Sequence, residues 1–449
     1  MVGISVMLSL PISQAFWGNE NKIKTAVFRS PKFVLGPGEV VNRSYGNIDF
    51  PRGHIALKSF NAEIIDEAGN PVSLHEAYPH HWVVRRYYLR KGVEILDYDD
   101  NEKLHGPDYF TAKNSGVCPS LDYYYAIGPE TRKTKTYVPD PYGIEVGNPA
   151  EIPAGFEEKW MLNMHAIDTR GVVDRIGCVE CRCNLYNITL DAYGRPLTPD
   201  YIGGLLCCYD RTQCRVKHGF EGVRRNLYLR YTVQWVDMDS SVVPVKIYIF
   251  DITDTWTRSS NEHDCPGEYD VEPCRASEIG NNECVDSKRI SLDMPFDGYI
   301  IYGLAHQHAG ATGSALYREN GQRICASIPT QGEGVEIGNE AGYVVGMSTS
   351  YPEPGTVKIS KGETIIVESN YSSVRLLTGL MGLFYILVAD EPPKPMYSSY
   401  ALVQARDNVV LLNILWAAVA LMGTVTIIAV AIRYRRKCER KDGYQTIKM

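Results

Sequence analysis

The sequence predicts an all-β fold: two tandem β-sandwich, jelly-roll-like domains with a cysteine-rich insertion, followed by one C-terminal transmembrane helix. Segments rich in β-branched and aromatic residues recur every 8 to 15 residues with turn residues between them, which is typical of sandwiches. No long amphipathic helical pattern interrupts these segments. An uncharged stretch near the C-terminus is long enough to cross a bilayer.

Changes in composition along the 449 residues divide the chain into seven segments. They are a signal peptide or leader (1–25), a first β-sandwich (26–170), the cysteine-rich insertion (171–222), a second β-sandwich (223–390), a stalk (391–408), the transmembrane helix (409–432) and a basic tail (433–449). Alternating apolar residues predict that Ala56–Ile65 and Val72–Arg90 form a hairpin around the turn at 66–71. The strand Asn226–Val236 is predicted to open the second sandwich.

The C-terminal region predicts a single-pass type I membrane protein. Residues 409–432 contain no charged side chain, and a helix of this length, rising about 1.5 Å per residue, spans a bilayer. Residues 433–449 carry seven basic and two acidic side chains, so the positive-inside rule places them in the cytoplasm. The ectodomain is then extracellular or lumenal. The chain before this tail sums to a charge of -12 against -7 overall, which argues against a nucleic-acid partner.

The cysteines agree with an oxidising compartment. Eleven of the twelve precede the predicted membrane span, namely Cys118, Cys178, Cys181, Cys183, Cys207, Cys208, Cys214, Cys265, Cys274, Cys284 and Cys325. Most should form disulfides, and the odd number leaves at least one without an intrachain partner. The six cysteines of the insertion also allow a zinc cluster. Three sequons predict N-glycans at Asn42, Asn187 and Asn370.

Two groups of residues are candidate metal ligands. His306 and His308 stand two apart in the predicted strand that begins near Gly298, so their imidazoles point to one face. His80 and His81 are adjacent and can share a metal only at a bulge or a strand end. The full set is His80, His81, His165, His306, His308 and Met381. The alternative is that these are solvated strand histidines and a core methionine.

This set resembles the ligands of the copper type II, ascorbate-dependent monooxygenases, which include peptidylglycine alpha-hydroxylating and dopamine beta-monooxygenases. Members of that family have two β-sandwich domains with an open cleft between them. Their first domain binds copper through a His-His pair and a later histidine, which His80, His81 and His165 match. Their second domain uses a His-x-His pair and a distant methionine, which His306, His308 and Met381 match.

The resemblance implies two copper ions, with ascorbate as reductant, and hydroxylation of a C–H bond in a substrate that the sequence does not identify. The copper held by the first set would store an electron, and the copper held by the second would bind dioxygen. Tyr385 matches a tyrosine that the family places near its substrate. Leu304 and Leu383 replace polar residues of the peptide-modifying enzyme, which argues against a peptide C-terminus as substrate.

Over nearly its full length the chain is similar to the plant stress-upregulated nodulin-like membrane proteins. The segments that carry this similarity are HHWVV at 80–84, CVECRC at 178–183, AHQHAG at 305–310 and MGLFYILVAD at 381–390. That resemblance implies no biochemical activity. Three functions therefore stay open: a membrane-anchored copper monooxygenase, a non-catalytic copper- or ligand-binding surface protein on the same fold, and an adhesion or receptor ectodomain with incidental histidines.

Overall fold

The structure is a computed structural model that describes residues 23–94, 107–260, 262–275, 284–392 and 399–442. The described chain up to Pro392 forms one compact unit. Its strands are β1 (Lys24–Arg29), β2 (Phe33–Leu35), β3 (Val40–Tyr45), β4 (Ile55–Ile65), β5 (Ala77–Arg90), β6 (Tyr109–Thr111), β7 (Tyr125–Ile127), β8 (Tyr142–Val146), β9 (Phe156–Asp168), β10 (Arg225–Asp237), β11 (Val243–Pro244), β12 (Lys246–Asp251), β13 (Tyr269–Val271), β14 (Val285–Asp293), β15 (Gly298–Gln307), β16 (Ala311–Arg318), β17 (Arg323–Ser327), β18 (Pro329–Gln331), β19 (Val344–Met347), β20 (Lys358–Ile359), β21 (Thr364–Ser372), β22 (Leu377–Leu380) and β23 (Gly382–Ala389). Helices are few among the described residues: α1 (Arg175–Val179), α2 (Cys183–Tyr186), a 3-10 turn (Pro129–Arg132) and the C-terminal α3 (Ser399–Asp442). The all-β prediction with one C-terminal apolar helix is confirmed.

Two sheets make up the first half of this unit, residues 23–244. One has the order β1-β10-β4-β8-β11, with β2 also paired to β10, and the other has the order β3-β9-β5-β6, with β7 also paired to β5. In β10 the residues Leu227, Leu229, Tyr231 and Val233 are buried, and the residues between them are more exposed. This period of two places one face of the sheet in the core and the other towards solvent.

The second half, residues 246–392, repeats the architecture. Its larger sheets have the orders β12-β23-β15-β20 and β14-β21-β16-β17, and two two-stranded sheets, β13-β22 and β18-β19, complete it. Every residue of β23 is buried, because this apolar strand lies between β12 and β15 in its sheet. The cores of the two halves are continuous.

Two sequence-based assignments of strands differ from the structure. Strand β10, expected to open the second sandwich, pairs with β1 and β4 in the first half. The segments expected to form a hairpin, β4 and β5, lie in different sheets, and only the bridge between Ile65 and Pro71 continues the turn that joins them. Alternation predicts a strand correctly but does not specify its partner, since buried strands of both sheets share the same pattern.

Four disulfides confirm that the cysteines are extensively paired. Cys181–Cys208 and Cys183–Cys207 lie inside the insertion, and Cys274–Cys284 closes a loop of the second half. The fourth, Cys118–Cys265, joins the first half to the second. Of the described cysteines Cys178, Cys214 and Cys325 are not bonded, and all three are buried.

The two halves also pack directly against each other. The segment after the 3-10 turn runs beside β19: the amide of Lys133 donates to the carbonyl of Val345 (2.8 Å), and the amide of Met347 donates to Oγ1 of Thr134 (2.9 Å). On the insertion side, the guanidinium of Arg375 pairs with the buried carboxylate of Glu180. These contacts close the region between the sandwiches where the sequence resemblance implied an open cleft.

The C-terminal helix α3 is a separate unit. Its segment Leu412–Lys437 is apolar and long enough to cross a membrane, close to the predicted 409–432. Residues 399–408 of the predicted stalk are part of this helix. Most of the predicted leader, residues 1–22, lies outside the described residues, and β1 begins at Lys24.

Candidate metal centre

A β-bulge brings the adjacent histidines of β5 together. Pro79 pairs with Ala166 and His81 pairs with His165, so His80 is an extra residue on β5 without a partner on β9. The ligand atoms of His80, His81 and His165 consequently lie within 4.8 Å of one another. The structure therefore brings the three histidines of the first predicted set to one place.

The two histidines of the second half lie against this group. His306 is near the end of β15 and His308 follows it, with ring centroids 5.2 Å apart. The ring of His308 lies 4.9 Å from that of His80, edge to face. The sequence resemblance implied two separate sites, but the structure forms one group from both halves, the histidine cluster: His80, His81, His165, His306 and His308.

Met381 lies between β22 and β23, and Tyr385 lies on β23. The hydroxyl of Tyr371 accepts a hydrogen bond from the amide of His308 (2.7 Å) and donates one to the carbonyl of Met381 (2.6 Å). The Tyr371 hydroxyl thus links the backbones of His308 and Met381. Tyr385 is opposite Leu304 on β15, and its buried hydroxyl has no hydrogen-bond partner among the described residues. Burial raises the pKa of Tyr385 well above its ordinary value, so the phenol stays protonated.

Three of the histidine rings each have one nitrogen in contact with an oxygen acceptor. Asn163 Oδ1 lies 3.0 Å from His81 Nε2, and the carbonyl of Cys208 lies 2.8 Å from His165 Nε2. A carboxylate oxygen of Glu130 contacts His306 Nδ1. Since each acceptor requires an N–H, the second nitrogen of such a ring keeps its lone pair when the ring is neutral.

Four ring nitrogens of the cluster are buried and have no hydrogen-bond partner among the described residues: Nδ1 of His80, His81 and His165, and Nε2 of His308. Burial is the main reason that the pKa values of these histidines lie below the ordinary value, for His81 at about 4. The rings are therefore neutral near neutral pH. Buried polar atoms without partners are rare in proteins, and neutral imidazole nitrogens are common metal ligands.

A disulfide and two leucines enclose the cluster. The sulfur atoms of Cys181 and Cys208 lie within 4.8 Å of a ring nitrogen of His80, and Cys208 Sγ is 3.6 Å from His165 Nε2. Leu383 is opposite His306 on the neighbouring strand, and like Leu304 it is buried.

Glu130 and Asn163 were not predicted from sequence. Asn163 stands on the same predicted face of β9 as His165, so the alternation of that strand could have indicated it. Glu130 lies in the segment GPETR, which matches no metal-site pattern. Its role depends on contact with a residue of the other half, and sequence spacing carries no signal for such a contact.

A family model described as stress up-regulated Nod 19 matches residues 21–391. The chain belongs to this stress up-regulated Nod 19 family. The match covers all described strands of this Nod 19 family protein, and with them the whole histidine cluster. No match was found among the curated proteins.

Solved structures similar to this Nod 19 family protein are distant. A structure titled as peptide-N(4)-(N-acetyl-β-D-glucosaminyl) asparagine amidase is 11% identical, with 82% of this chain and 97% of that chain covered and a TM-score of 0.29. PNGase F, described as a glycosylasparaginase from Flavobacterium meningosepticum, is 10% identical with the same coverages and a TM-score of 0.28. Likenesses at this level carry no argument about function, and the resemblance to monooxygenases is not confirmed by them.

Proposed function

We propose that this protein is a membrane-anchored copper protein whose metal is held by the histidine cluster between the two halves. The observation that carries the proposal is the set of four buried ring nitrogens, on neutral rings, that have no hydrogen-bond partner within the described part of the chain. Leaving so many buried polar atoms unpaired costs about 1–3 kcal/mol for each atom. A bound cation would remove that cost.

The donors favour copper over other metals. Imidazole suits both zinc and copper, and a thioether ligand favours copper, which is soft as Cu(I). Met381, whose carbonyl is linked to the amide of His308 through the hydroxyl of Tyr371, would supply the thioether. We propose two copper ions, one with His80, His81 and His165 and one with His306, His308 and Met381, as neighbours in one cluster.

The contacts around the rings support a preorganised site. Glu130, Asn163 and the carbonyl of Cys208 each hold one ring nitrogen, which fixes the ring and presents the other nitrogen to a metal. Leu304 and Leu383 keep water away from the second set, because both are buried. Copper bound there would supply one-electron redox chemistry.

Ascorbate-dependent hydroxylation of a C–H bond is the activity that we propose for this centre. Tyr385 supports it, because its buried hydroxyl donates to no other described residue and could donate a hydrogen bond to a substrate. The cluster is buried, so a substrate would reach it only if the halves move apart. A non-catalytic copper-binding role is the second candidate, and the same burial favours it.

The topology that we propose is a lumenal or extracellular ectodomain and a cytoplasmic tail. The four disulfides support it, since such bonds persist in oxidising compartments. The basic residues from 433 onwards favour the cytoplasmic side for the tail.

Metal content decides first between a copper protein and an ectodomain with incidental histidines. The full chain is purified in detergent, loaded with copper, dialysed and measured for copper and zinc. We expect copper to be retained by the wild type and lost in part by His308→Ala. His54→Ala is the matched control, because His54 is on the surface and pairs with Glu145 outside the cluster. Equal copper in all three proteins would contradict the proposal.

Oxygen consumption with ascorbate then separates the two remaining candidates. A copper-loaded protein that consumes oxygen with ascorbate, and loses this activity in Met381→Ala, supports the monooxygenase. Retained copper without turnover on any C–H donor supports the binding role.

A further inference from the structure

Two cysteines outside the four disulfides lie against each other inside the insertion. Cys178 is in α1, Cys214 lies 36 residues later, and both have an exposure of 0%. Their side chains belong to one small apolar core within the insertion. The Cys214 thiol is a close enough neighbour to help raise the pKa of the Cys178 thiol, and the hydroxyl of Tyr186 lies 3.4 Å from the sulfur of Cys178.

A metal site is the weaker explanation for this pair. The groups of metal-ligating side chains found among the described residues do not include Cys178 or Cys214. The nearby hydroxyl of Tyr186 donates its proton to the carbonyl of Cys178 (2.8 Å) and is not available as an anionic ligand. Two sulfur atoms without further donors do not complete a tetrahedral thiolate site.

We propose that Cys178 and Cys214 form a fifth disulfide in the mature protein. The bond forms by exchange with the disulfide of a thiol oxidoreductase in the secretory compartment. The two cysteine thiols lose two protons and two electrons, and the disulfide of the oxidoreductase takes them up as a dithiol. Ten ectodomain cysteines are then paired, and Cys325 is the odd cysteine that the sequence requires.

Because both cysteines are buried in the folded insertion, we expect their oxidation to occur during folding, before the insertion is fully packed. The apolar surroundings raise the pKa of the Cys178 thiol well above its ordinary value, so the folded protein holds very little thiolate to attack an oxidant. The same burial protects the completed bond from reductants. The fifth disulfide is thus structural and resists mild reduction.

The position of the bond suggests what it stabilises. The amide of Cys214 donates to the carbonyl of Gly38 (2.7 Å). Gly38 has a φ of +75°, and a Cβ at this position would lie 2.4 Å from the carbonyl oxygen of Cys214. Cys178 lies in the helix that leads to Glu180, which pairs with Arg375, and to Cys181, whose disulfide touches His80. The bond therefore ties the wall of the histidine cluster to the first sandwich.

Peptide mapping of the full chain tests this proposal directly. The protein is unfolded in the presence of an alkylating reagent without reductant, deglycosylated and cut with trypsin. Cleavage after Arg175, Arg182, Arg211 and Arg215 yields the peptides 176–182, 183–211 and 212–215. We expect one product in which all three are joined, because Cys181–Cys208 links the first two and Cys178–Cys214 links the first to the third. Peptide 212–215 released with an alkylated Cys214 would overturn the proposal.

Two variants provide the internal controls. In Cys178→Ser the peptide 212–215 should appear alone and alkylated. The midpoint temperature of thermal unfolding should fall by several degrees. In Cys325→Ser the three-peptide product should be unchanged, since Cys325 has no bonded partner. Loss of the three-peptide product in Cys325→Ser would assign the bond to other cysteines and overturn the proposal as well.

Discussion

The imidazole rings of His80 and His308 lie 4.9 Å apart, although one comes from the bulge on β5 and the other follows β15 in the second half. This contact joins two sets of histidines that sequence reasoning treats as separate sites. A change that displaces His308 from His80 therefore changes the cluster.

Glu130→Gln is expected to weaken copper binding by about 10- to 100-fold, since acceptors that orient a metal-ligating histidine contribute on this scale. Glu130 is buried in the first half and contacts Nδ1 of His306 in the second. Isothermal titration with copper measures the effect.

Glu340→Gln is the control for that experiment. Glu340 is also fully buried, and it accepts hydrogen bonds from the amides of Leu74 (3.1 Å) and Gly338 (2.8 Å), outside the cluster. It should lower the melting temperature without changing copper affinity. An equal loss of affinity in both variants would mean that Glu130 acts only on stability.

Of the three sequons, we expect a glycan only at Asn187. Asn187 is exposed at the end of α2. Asn42 accepts a hydrogen bond from Asn163 within the first half, and the amide nitrogen of Asn370 donates to Glu368 from the interior strand β21. Asn187→Gln should remove the mass shift on deglycosylation of protein from a eukaryotic host. A shift that persists in this variant would show that a strand asparagine is modified.

We expect the contribution of Glu268 to the free energy of unfolding to fall as the pH rises. Burial raises the pKa of Glu268 to about 8 in the folded protein, where its carboxyl accepts hydrogen bonds from the amide of Leu205 and the hydroxyl of Tyr201. The unfolded chain releases this proton near the ordinary glutamate pKa. The contribution to stability is thus complete below that value and declines as the pH rises towards about 8.

Glu268→Gln should remove this part of the pH dependence, because glutamine imitates the protonated acid. The melting temperature of the variant should equal that of the wild type at a pH near the ordinary glutamate pKa. It should exceed that of the wild type above about pH 8. Glu272→Gln is the control, since Glu272 is exposed. A variant that follows the wild-type profile at all pH values would contradict the assignment.

The sequence contains enough information to predict the strands and the candidate ligands, but not their arrangement. Period-two burial in β10 predicts that strand well, yet its pairing with β1 and β4 depends on contacts between distant segments. The adjacent pair His80-His81 indicates a shared site only if a bulge is present, and the register of β5 against β9 provides it. The bulge has no sequence signature of its own.

The contact between the halves was also beyond sequence reasoning. Glu130 and His306 are 176 residues apart, and the sequence around each residue gives no indication that they are in contact. The disulfide Cys118–Cys265 spans 147 residues, and eleven cysteines allow too many pairings for spacing to select one. Composition and spacing predict which residue types serve a site, and tertiary packing decides which of them meet.

The most direct test of a single copper cluster is electron paramagnetic resonance of the Cu(II)-loaded protein, comparing the wild type with His80→Ala and His308→Ala. If the two sets are neighbours, each variant should change the signal of the copper held by the other set. Two independent signals in the wild type, each lost in one variant while the other stays unchanged, would contradict the cluster. A wild-type protein without any bound Cu(II) would contradict the copper function as a whole.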